Sequence, residues 1–447
     1  MIRRATLLVL AALMPLGCGT WRRAGSPGTP ASPQEQFSGL FDVQGAYRRM
    51  GRFASDPPIQ FIGTMATAAG PGDSAVAVLG LSLENRSLVF QRDGDGFVAR
   101  YRAEVTLEGP GDAPIEVRRE ETVRVATFKE TLRADESIIF QQSFHLVPGD
   151  YHIVISIRDL ASPSRSATEG DFTVRTFAPG TTSDPIIVYQ VTGRASRSDP
   201  LAVLLNARGS VAYGGDTLLA YVEGYEFTQP TLVPYEVRDR EDSVVFRDSL
   251  RFAGGQAIEG QVIRLAPDSQ PLGELTIQVG TSPNERSAVA LVSFSEAWIV
   301  TNFEDMIDLL RYFGQDQKLS ALKNAPEAER PGLWQAFYRD TDPNKITPEN
   351  EALDAYLQRV ALANLRFRGE DRPGWRTDRG EVFITLGDPD DTFDASPTSQ
   401  GRIIRWTFTS LRLTVYFEDA SGFGRFRLTP ASRAEYENVL NRVRRSQ

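Results

Sequence analysis

The sequence holds a single cysteine in 447 residues, Cys18, so no disulfide can form within the chain. Histidine is nearly as scarce, with only His145 and His152, and H-E-x-x-H is missing. Two histidines without a free thiol argue against a zinc centre. Both lie in or beside expected strands and read as structural or solvated. The chain has neither a G-x-S-x-G elbow nor a Walker loop, and Gly94-Asp95-Gly96 lacks the third glycine of a dinucleotide fingerprint. Ser320-Ala321-Leu322-Lys323 fits S-x-x-K, but the S-D-N and K-T-G partners of that motif are missing. No cofactor is expected. Long apolar runs are lacking too, since none reaches the roughly 20 residues a spanning helix needs. Nor does the chain carry a long Lys/Arg stripe, and its net charge of −9 repels phosphate backbones, so nucleic acid is not an expected partner.

What is present begins at the N-terminus. Arg3 and Arg4 precede the apolar run Ala5 to Leu16, which has the length of an export signal. Leu16-Gly17-Cys18 then resembles the lipobox of bacterial lipoproteins, in which the cysteine is acylated and becomes the new N-terminus. The resemblance implies a signal peptide over 1–18, lipidation at Cys18, a membrane partner through that lipid, and residence in the cell envelope. Gly19 lacks the aspartate associated with inner-membrane retention in enteric bacteria, which favours the outer membrane where the source has one. Residues 19–36 are rich in Gly, Pro and Ser and read as a linker, followed by a short helix before residue 57.

Hydrophobic residues at 41% and charged residues at 24% are ordinary for folded protein, and the length asks for several domains. From residue 57 to 180 the pattern has period two: Phe97, Ala99, Tyr101, Ala103, Val105 and Leu107 share one face, and Tyr151, Ile153, Ile155 and Ile157 repeat the alternation. Asp93-Gly94 between strand-like runs marks a hairpin. A second β block covers 184–300, with strands at Ile186–Val191, Leu218–Val222, Tyr235–Arg238 and Leu275–Val279. The segments starting at Gly149 and Gly273, 124 residues apart, both feed an alternating strand from a glycine, as tandem β-sandwiches of similar build would. A single large sandwich with insertions is the alternative.

After residue 301 the period becomes helical. Asn302 caps a stripe of Phe303, Met306, Ile307, Leu310 and Phe313 that stops at Gly314. A second helix is expected over Pro326–Asp340, interrupted at Pro331. A third is capped by Thr347 with Pro348 in its first turn and carries Leu353, Tyr356, Leu357, Val360, Ala361 and Leu365 on its apolar face. Strands are then predicted at Val382–Leu386, Ile403–Phe408, Leu413–Phe417 and Phe426–Leu428. The fold class is therefore mainly β: two tandem β-sandwich-like domains followed by an α+β C-terminal domain, residues 301–447, with helices and then a small antiparallel sheet.

Within that last domain stands Gly374-Trp375-Arg376-Thr377-Asp378-Arg379-Gly380, followed by Gly387-Asp388-Pro389-Asp390. With Phe337 to Pro343, Asn350-Glu351, Ala361 to Phe367 and Phe423-Gly424, the segment resembles the GWxTD-domain family of bacterial envelope proteins over roughly residues 300–430. That family carries no established catalytic residues, so the resemblance implies motif positions and no mechanism. Gly374, Trp375, Thr377, Asp378, Arg379, Gly380, Gly387, Asp388, Pro389 and Asp390 are the candidate binding residues. Gly374–Gly380 is read first as a turn that feeds the strand from Val382, with Trp375 plugging helix against sheet and Thr377 and Asp378 bonding nearby backbone N–H groups.

Two chemical candidates remain. Asp388, Asp390, Asp391 and Asp394 form a carboxylate cluster of the kind Ca²⁺ favours, though not with EF-hand spacing. Asp388 or Asp390 facing Glu418 or Asp419 would suit glycoside hydrolysis if roughly 5 to 9.5 Å apart. Trp298, Trp334, Trp375 and Trp406 offer either sugar-stacking surfaces or core. The weight of these readings is against an enzyme and for an envelope lipoprotein, a binding or structural module that presents the C-terminal domain to a protein or glycan. The alternative is a hydrolase of envelope glycans using carboxylates of that domain.

Overall fold

The computed structural model describes residues 42–111, 113–133, 138–294, 299–345, 350–367, 372–395 and 402–445. Cys18 and the signal, Trp298, Thr347 and Pro348 lie outside these residues.

Two β-sandwiches follow one another. The first contains β1 (Phe53–Ala54), β2 (Phe61–Ala69), β3 (Ala75–Leu83), β4 (Gln91–Asp93), β5 (Gly96–Glu108), β6 (Ile115–Val125), β7 (Ile138–Leu146), β8 (Gly149–Asp159) and β9 (Arg165–Val174). One sheet runs β1-β2-β3-β7; the other runs β4-β5-β8-β9, with β6 also paired to β5. The second contains β10 (Ile186–Thr192), β11 (Ala202–Leu205), β12 (Ser210–Ala212), β13 (Leu218–Tyr225), β14 (Thr231–Arg238), β15 (Val244–Phe252), β16 (Ile258–Leu265), β17 (Gly273–Val279) and β18 (Arg286–Ser293). Its sheets run β11-β10-β13-β16 and β12-β18-β17-β14-β15.

The two share a topology. The order β2-β3-β7 against β6-β5-β8-β9 in the first is matched by β10-β13-β16 against β15-β14-β17-β18 in the second. Gly149 and Gly273, paired by sequence, open the equivalent strands β8 and β17, and both have positive φ. The expected alternation is there: Ala99, Tyr101, Ala103, Val105 and Leu107 of β5 face Tyr151, Ile153, Ile155 and Ile157 across the ladder and are all buried.

Strand β3 breaks that alternation, because every one of its residues is buried. Ala75, Ala77, Leu79, Leu81 and Leu83 point into the first sandwich core, while Val76 and Val78 pack with Ile186, Val188, Val203 and Leu205 of β10 and β11. The sheets therefore stack in four layers, with the wall between the sandwiches apolar on both sides.

A polar network crosses the same seam. Arg194 donates to Glu223 through Nε and Nη2, both at 2.8 Å, and Nη2 also donates to the Ala69 carbonyl at 2.5 Å. Tyr221 and Tyr225 donate their hydroxyls to the same carboxylate at 3.1 and 3.0 Å. Burial, and then the Glu223 charge, raises the pKa of both phenols, so they stay protonated donors. Helix α1 (Val43–Arg49), capped by Asp42, closes the seam from the side: Tyr47 is buried with Ile62 of β2, Leu291 of β18 and Ile299.

The C-terminal part contains α2 (Phe303–Leu309), α3 (Asp316–Asn324), α4 (Arg330–Thr341), α5 (Glu351–Arg366), α6 (Asp378–Leu386) and α7 (Pro430–Arg445). Its sheet runs β19 (Asp391–Ala395), β20 (Arg402–Phe408), β21 (Leu413–Asp419) and β22 (Arg427–Leu428) in that order, all antiparallel. Asn302 caps α2 by accepting from Asp305 N at 3.1 Å, and Gly314 has φ +90° beyond its end.

The helices of this part bear on several sequence expectations. The stretch expected over Pro326–Asp340 is helical and changes beside Pro331 as expected, from a 3₁₀ turn, Glu327–Glu329, to α4, with Pro331 in the first turn of α4 where its missing N–H costs nothing. The third helix, α5, is capped by Asn350, which accepts from Leu353 N at 2.9 Å, and Leu365 faces solvent at 54% exposure. Val382–Leu386 is not a strand: it is the body of α6. Thr377 caps that helix, Asp378 and Glu381 occupy its acidic first turn, and Gly387 ends it at φ +85°. Those terminal signals outweigh the strand preference of Val382, Phe383, Ile384 and Thr385. The chain also does not end on the sheet. Helix α7 follows it, and the stripe Tyr436, Val439, Leu440, Val443 behind Pro430 was its legible signal.

The boundary drawn at residues 300/301 runs through one continuous apolar core that extends from Ile187 of the second sandwich to Val439 of α7. Phe294 makes an edge contact with Trp334 of α4 at 4.8 Å and with Tyr213 at 5.3 Å. Gln335 donates to the Tyr213 carbonyl at 2.8 Å. At Gly214, with φ +68°, a Cβ would lie 2.6 Å from the Pro331 carbonyl oxygen, so the glycine lets α4 lie against the sandwich. A fragment starting at Asn302 would expose this face. Differential scanning calorimetry should give a cooperative transition for residues 184–447 and none for 302–447; a sharp transition in the shorter fragment would place the core elsewhere.

Candidate functional site

The candidate motif forms a corner between α5 and the C-terminal sheet. Pro373 precedes a single 3₁₀ turn, Gly374–Arg376, and Thr377 then caps α6. Gly374 lies against the end of α5: its N–H donates to Asn364 Oδ1 at 3.1 Å, and a Cβ there would lie 2.4 Å from the Ala363 carbonyl oxygen. Gly380 lies against Gly374 itself, with a Cβ position 2.1 Å from the Gly374 oxygen. Neither glycine is present for positive φ; each is required because backbone passes where a side chain would be.

Thr377 is fully buried and joins the two glycines, donating to the Gly374 carbonyl at 2.7 Å and accepting from Gly380 N at 2.9 Å. Trp375 is also fully buried. The Arg311 and Arg376 guanidiniums lie 5.3 and 5.0 Å from its ring centroid, and both pair with Asp308 of α2. The indole is thus a plug held between charged groups, with no face left for a ligand.

Asp378 does something the sequence did not reveal. Instead of bonding a nearby N–H, it accepts from Leu428 N at 2.8 Å, 50 residues away, and pairs with Arg433 at 3.1 Å. Arg433 also bridges to Glu381 at 2.9 Å. The aspartate therefore ties the motif to β22 and to α7. Arg379 spreads over the rings of Phe426 and Phe367, at 4.4 and 5.1 Å.

The acidic cluster disperses. Asp388 pairs with Arg366, Asp391 with Arg405 at 2.9 Å and Asp394 with Arg402 at 3.1 Å. Asp390 accepts from Thr409 N at 2.6 Å. Among the described residues no group of three His, Cys, Asp or Glu side chains converges as a metal site, so these four do not form the calcium cluster the sequence suggested.

Neither does the hydrolase pairing assemble. Asp390 sits beside Thr407 at one end of β20, with Asp388 two residues before it and paired with Arg366, while Glu418 and Asp419 pair with Ile403 and Arg402 at the other. Four residues of strand separate the two ends by roughly 13 Å, beyond the range of a glycosidase pair. Glu418 is exposed and Asp419 is fully buried, so the two also face opposite sides of the sheet.

Asp419 instead organises the hairpin that follows it. Burial works against its charge, but hydrogen bonds from the Ser421 hydroxyl at 2.7 Å and from the Gly424 and Ser421 N–H groups at 2.7 and 3.2 Å outweigh it, and the pKa is lowered. The loop so fixed holds Phe423 out at 80% exposure.

The remaining candidates are placed as follows. Trp334 and Trp406 are buried, so with Trp375 they build core. Ser320 and Lys323 lie on the exposed face of α3. His145 is exposed on β7, and His152 bonds Asp171 at 2.8 Å on the first sandwich, away from the motif; that hydrogen bond raises its pKa.

Residues 273–426 match the GWxTD domain family, a span that starts at β17 within the second sandwich. No curated protein matches the sequence. Among solved structures, trypsin-activated alpha-2-macroglobulin from Escherichia coli is similar at 12% identity, over 55% of this chain and 18% of that one, with a TM-score of 0.17. The chain thus spans less than a fifth of that protein's length.

Two outcomes are expected from this geometry. Trp375→Ala should destabilise the protein by about 3–5 kcal/mol through the cavity it leaves, read by urea denaturation; an unchanged midpoint would make the ring a surface group. Asp419 has a lowered pKa, so its contribution to stability is complete above the ordinary aspartate range and is lost as pH falls through the lowered value. Asp419→Asn should therefore be less stable than wild type at neutral pH, with the difference shrinking as acid is added.

Proposed function

We propose that this chain, which carries a GWxTD domain in its C-terminal part, is a lipid-anchored envelope protein that works by binding rather than by catalysis. On this reading Cys18 is acylated, the protein is held at a membrane of the envelope, and the two sandwiches and the GWxTD domain form one rigid body presented to a protein or glycan partner.

The supporting observation is how the motif residues are used. Gly374, Trp375, Thr377 and Gly380 are spent on backbone contact and core, while Asp378, Asp388, Asp390, Asp391 and Asp394 are spent on arginines or backbone N–H groups. A motif used up in this way builds a scaffold, and recognition falls to what it holds outward. A rigid display surface loses little entropy on binding, which suits such a role. Phe423, on the loop ordered by Asp419, is the most exposed large apolar side chain among the described residues.

Two substitutions test the parts of this reading separately. Cys18→Ser should move the protein from the membrane fraction to the soluble exported fraction, since an acyl chain supplies about 0.8 kcal/mol per buried CH₂; retention in the membrane after a salt wash would overturn the anchor. Phe423→Ser should leave melting unchanged and reduce crosslinking to partners in native envelopes, where an unaltered crosslinking pattern would move recognition to another surface.

A further inference from the structure

At the polar seam between the sandwiches, Arg52 and Arg197 each keep a buried Nε without an acceptor, but Arg197 is paired with Glu226 at 2.9 Å and Arg52 is not paired with a carboxylate among the described residues. Arg52 follows α1 and lies where β2 meets β18. Its Nη2 donates to the Val289 carbonyl at 2.7 Å, and its Nη1 donates to the Thr64 hydroxyl. A guanidinium has five N–H donors. The Nε of Arg52 is shielded from solvent and has no acceptor, and among the described residues no carboxylate stands within ion-pair distance of it. Burial lowers its pKa to about 10. The contrast with Arg194, held on two sides by Glu223, is direct: one seam arginine has its counter-ion within the chain and the other does not.

Gly209 has φ +65°, and a Cβ on it would lie 2.2 Å from Arg52 Nη2. Beside the guanidinium opens a cleft of about 240 Å³ whose polar walls include Thr64, Thr67, Thr173, Asn206 and Ser287. Asp171 and Asp184 also line it, but Asp171 is engaged by His152 at 2.8 Å and Asp184 faces Arg175 at 3.8 Å. The space is below the roughly 300–1,000 Å³ of drug-sized pockets, which restricts the occupant to a small molecule.

We propose that this seam cleft binds a small oxyanion, the phosphate or carboxylate group of a ligand, with Arg52 as its counter-charge. The ligand would accept from the two Nη hydrogens that Val289 and Thr64 leave unused, and because Arg52 touches β2 of one sandwich and β18 of the other, occupancy would tighten the joint between them. Ligand binding to the folded state raises stability by mass action, which makes the effect measurable without knowing the natural ligand.

The test uses the full chain with inorganic phosphate and, separately, acetate as probes, each against chloride at equal ionic strength. Melting temperature should rise with probe concentration and level off, and Arg52→Gln should abolish the rise. A rise with phosphate alone would identify a phosphorylated ligand, and a rise with both would admit carboxylates. Because Arg52→Gln also removes a seam contact, hydrogen exchange on the wild type gives a second reading: phosphate should slow exchange in residues 50–67, 203–211 and 286–293. No rise in the wild type, a rise that persists in Arg52→Gln, or protection confined to other segments would each overturn the proposal.

Discussion

Strand β3 has no side that faces water, and the arrangement of the whole molecule depends on that constraint. Its odd-numbered residues complete the first sandwich core, and Val76 and Val78 form half of a second apolar layer whose other half is Ile186, Val188, Val203 and Leu205. Separating the sandwiches would return both halves of that layer to water at about 25 cal/mol per Å². The tandem repeat is therefore a single stacked body, and not two beads on a string.

Dry contact has a consequence for polar groups trapped in it. Glu223 lies at the centre of the seam with no exposure, and an isolated carboxylate there would be untenable. It is answered by a bidentate arginine and two tyrosine hydroxyls, while the backbone N–H of Glu223 donates to the Ser183 hydroxyl. Because Arg194 also reaches Ala69 of the first sandwich, the group that neutralises the charge also fixes the two sandwiches in register. Helix α1 adds a third contact at the same joint. Under the proposed lipid anchoring, the tether would thus enter at the joint and not at one end of a stalk.

The C-terminal part obeys the same logic of close approach. Gly214 admits Pro331, Gly374 admits the end of α5, and Gly380 admits Gly374. Each missing Cβ lets backbone meet backbone, and Trp375 and Trp334 fill what is left between the elements. This explains why a motif that is conspicuous in sequence has so little surface of its own, and why the carboxylates around it are partnered.

The sequence by itself determined the local geometry: the period-two strands of both sandwiches, the repeat marked by Gly149 and Gly273, the Asn302 cap, and the motif from Gly374 to Gly380 as a structural turn. These are legible because side-chain periodicity and backbone preference act over a few residues. Only the tertiary structure decided the rest. Val382–Leu386 has the composition of a strand and became a helix because Thr377 and Gly387 set its ends. Asp378 was read as a local turn residue and instead reaches Leu428 and Arg433. Asp388 through Asp394 looked like one site, yet each found a different partner, since the register of β19 on β20 and the packing of α5 place a different arginine or N–H beside each. The core across residue 300 was illegible for the same reason: whether Phe294 and Trp334 pack together depends on a contact between residues 40 positions apart, and neither composition nor periodicity carries that distance.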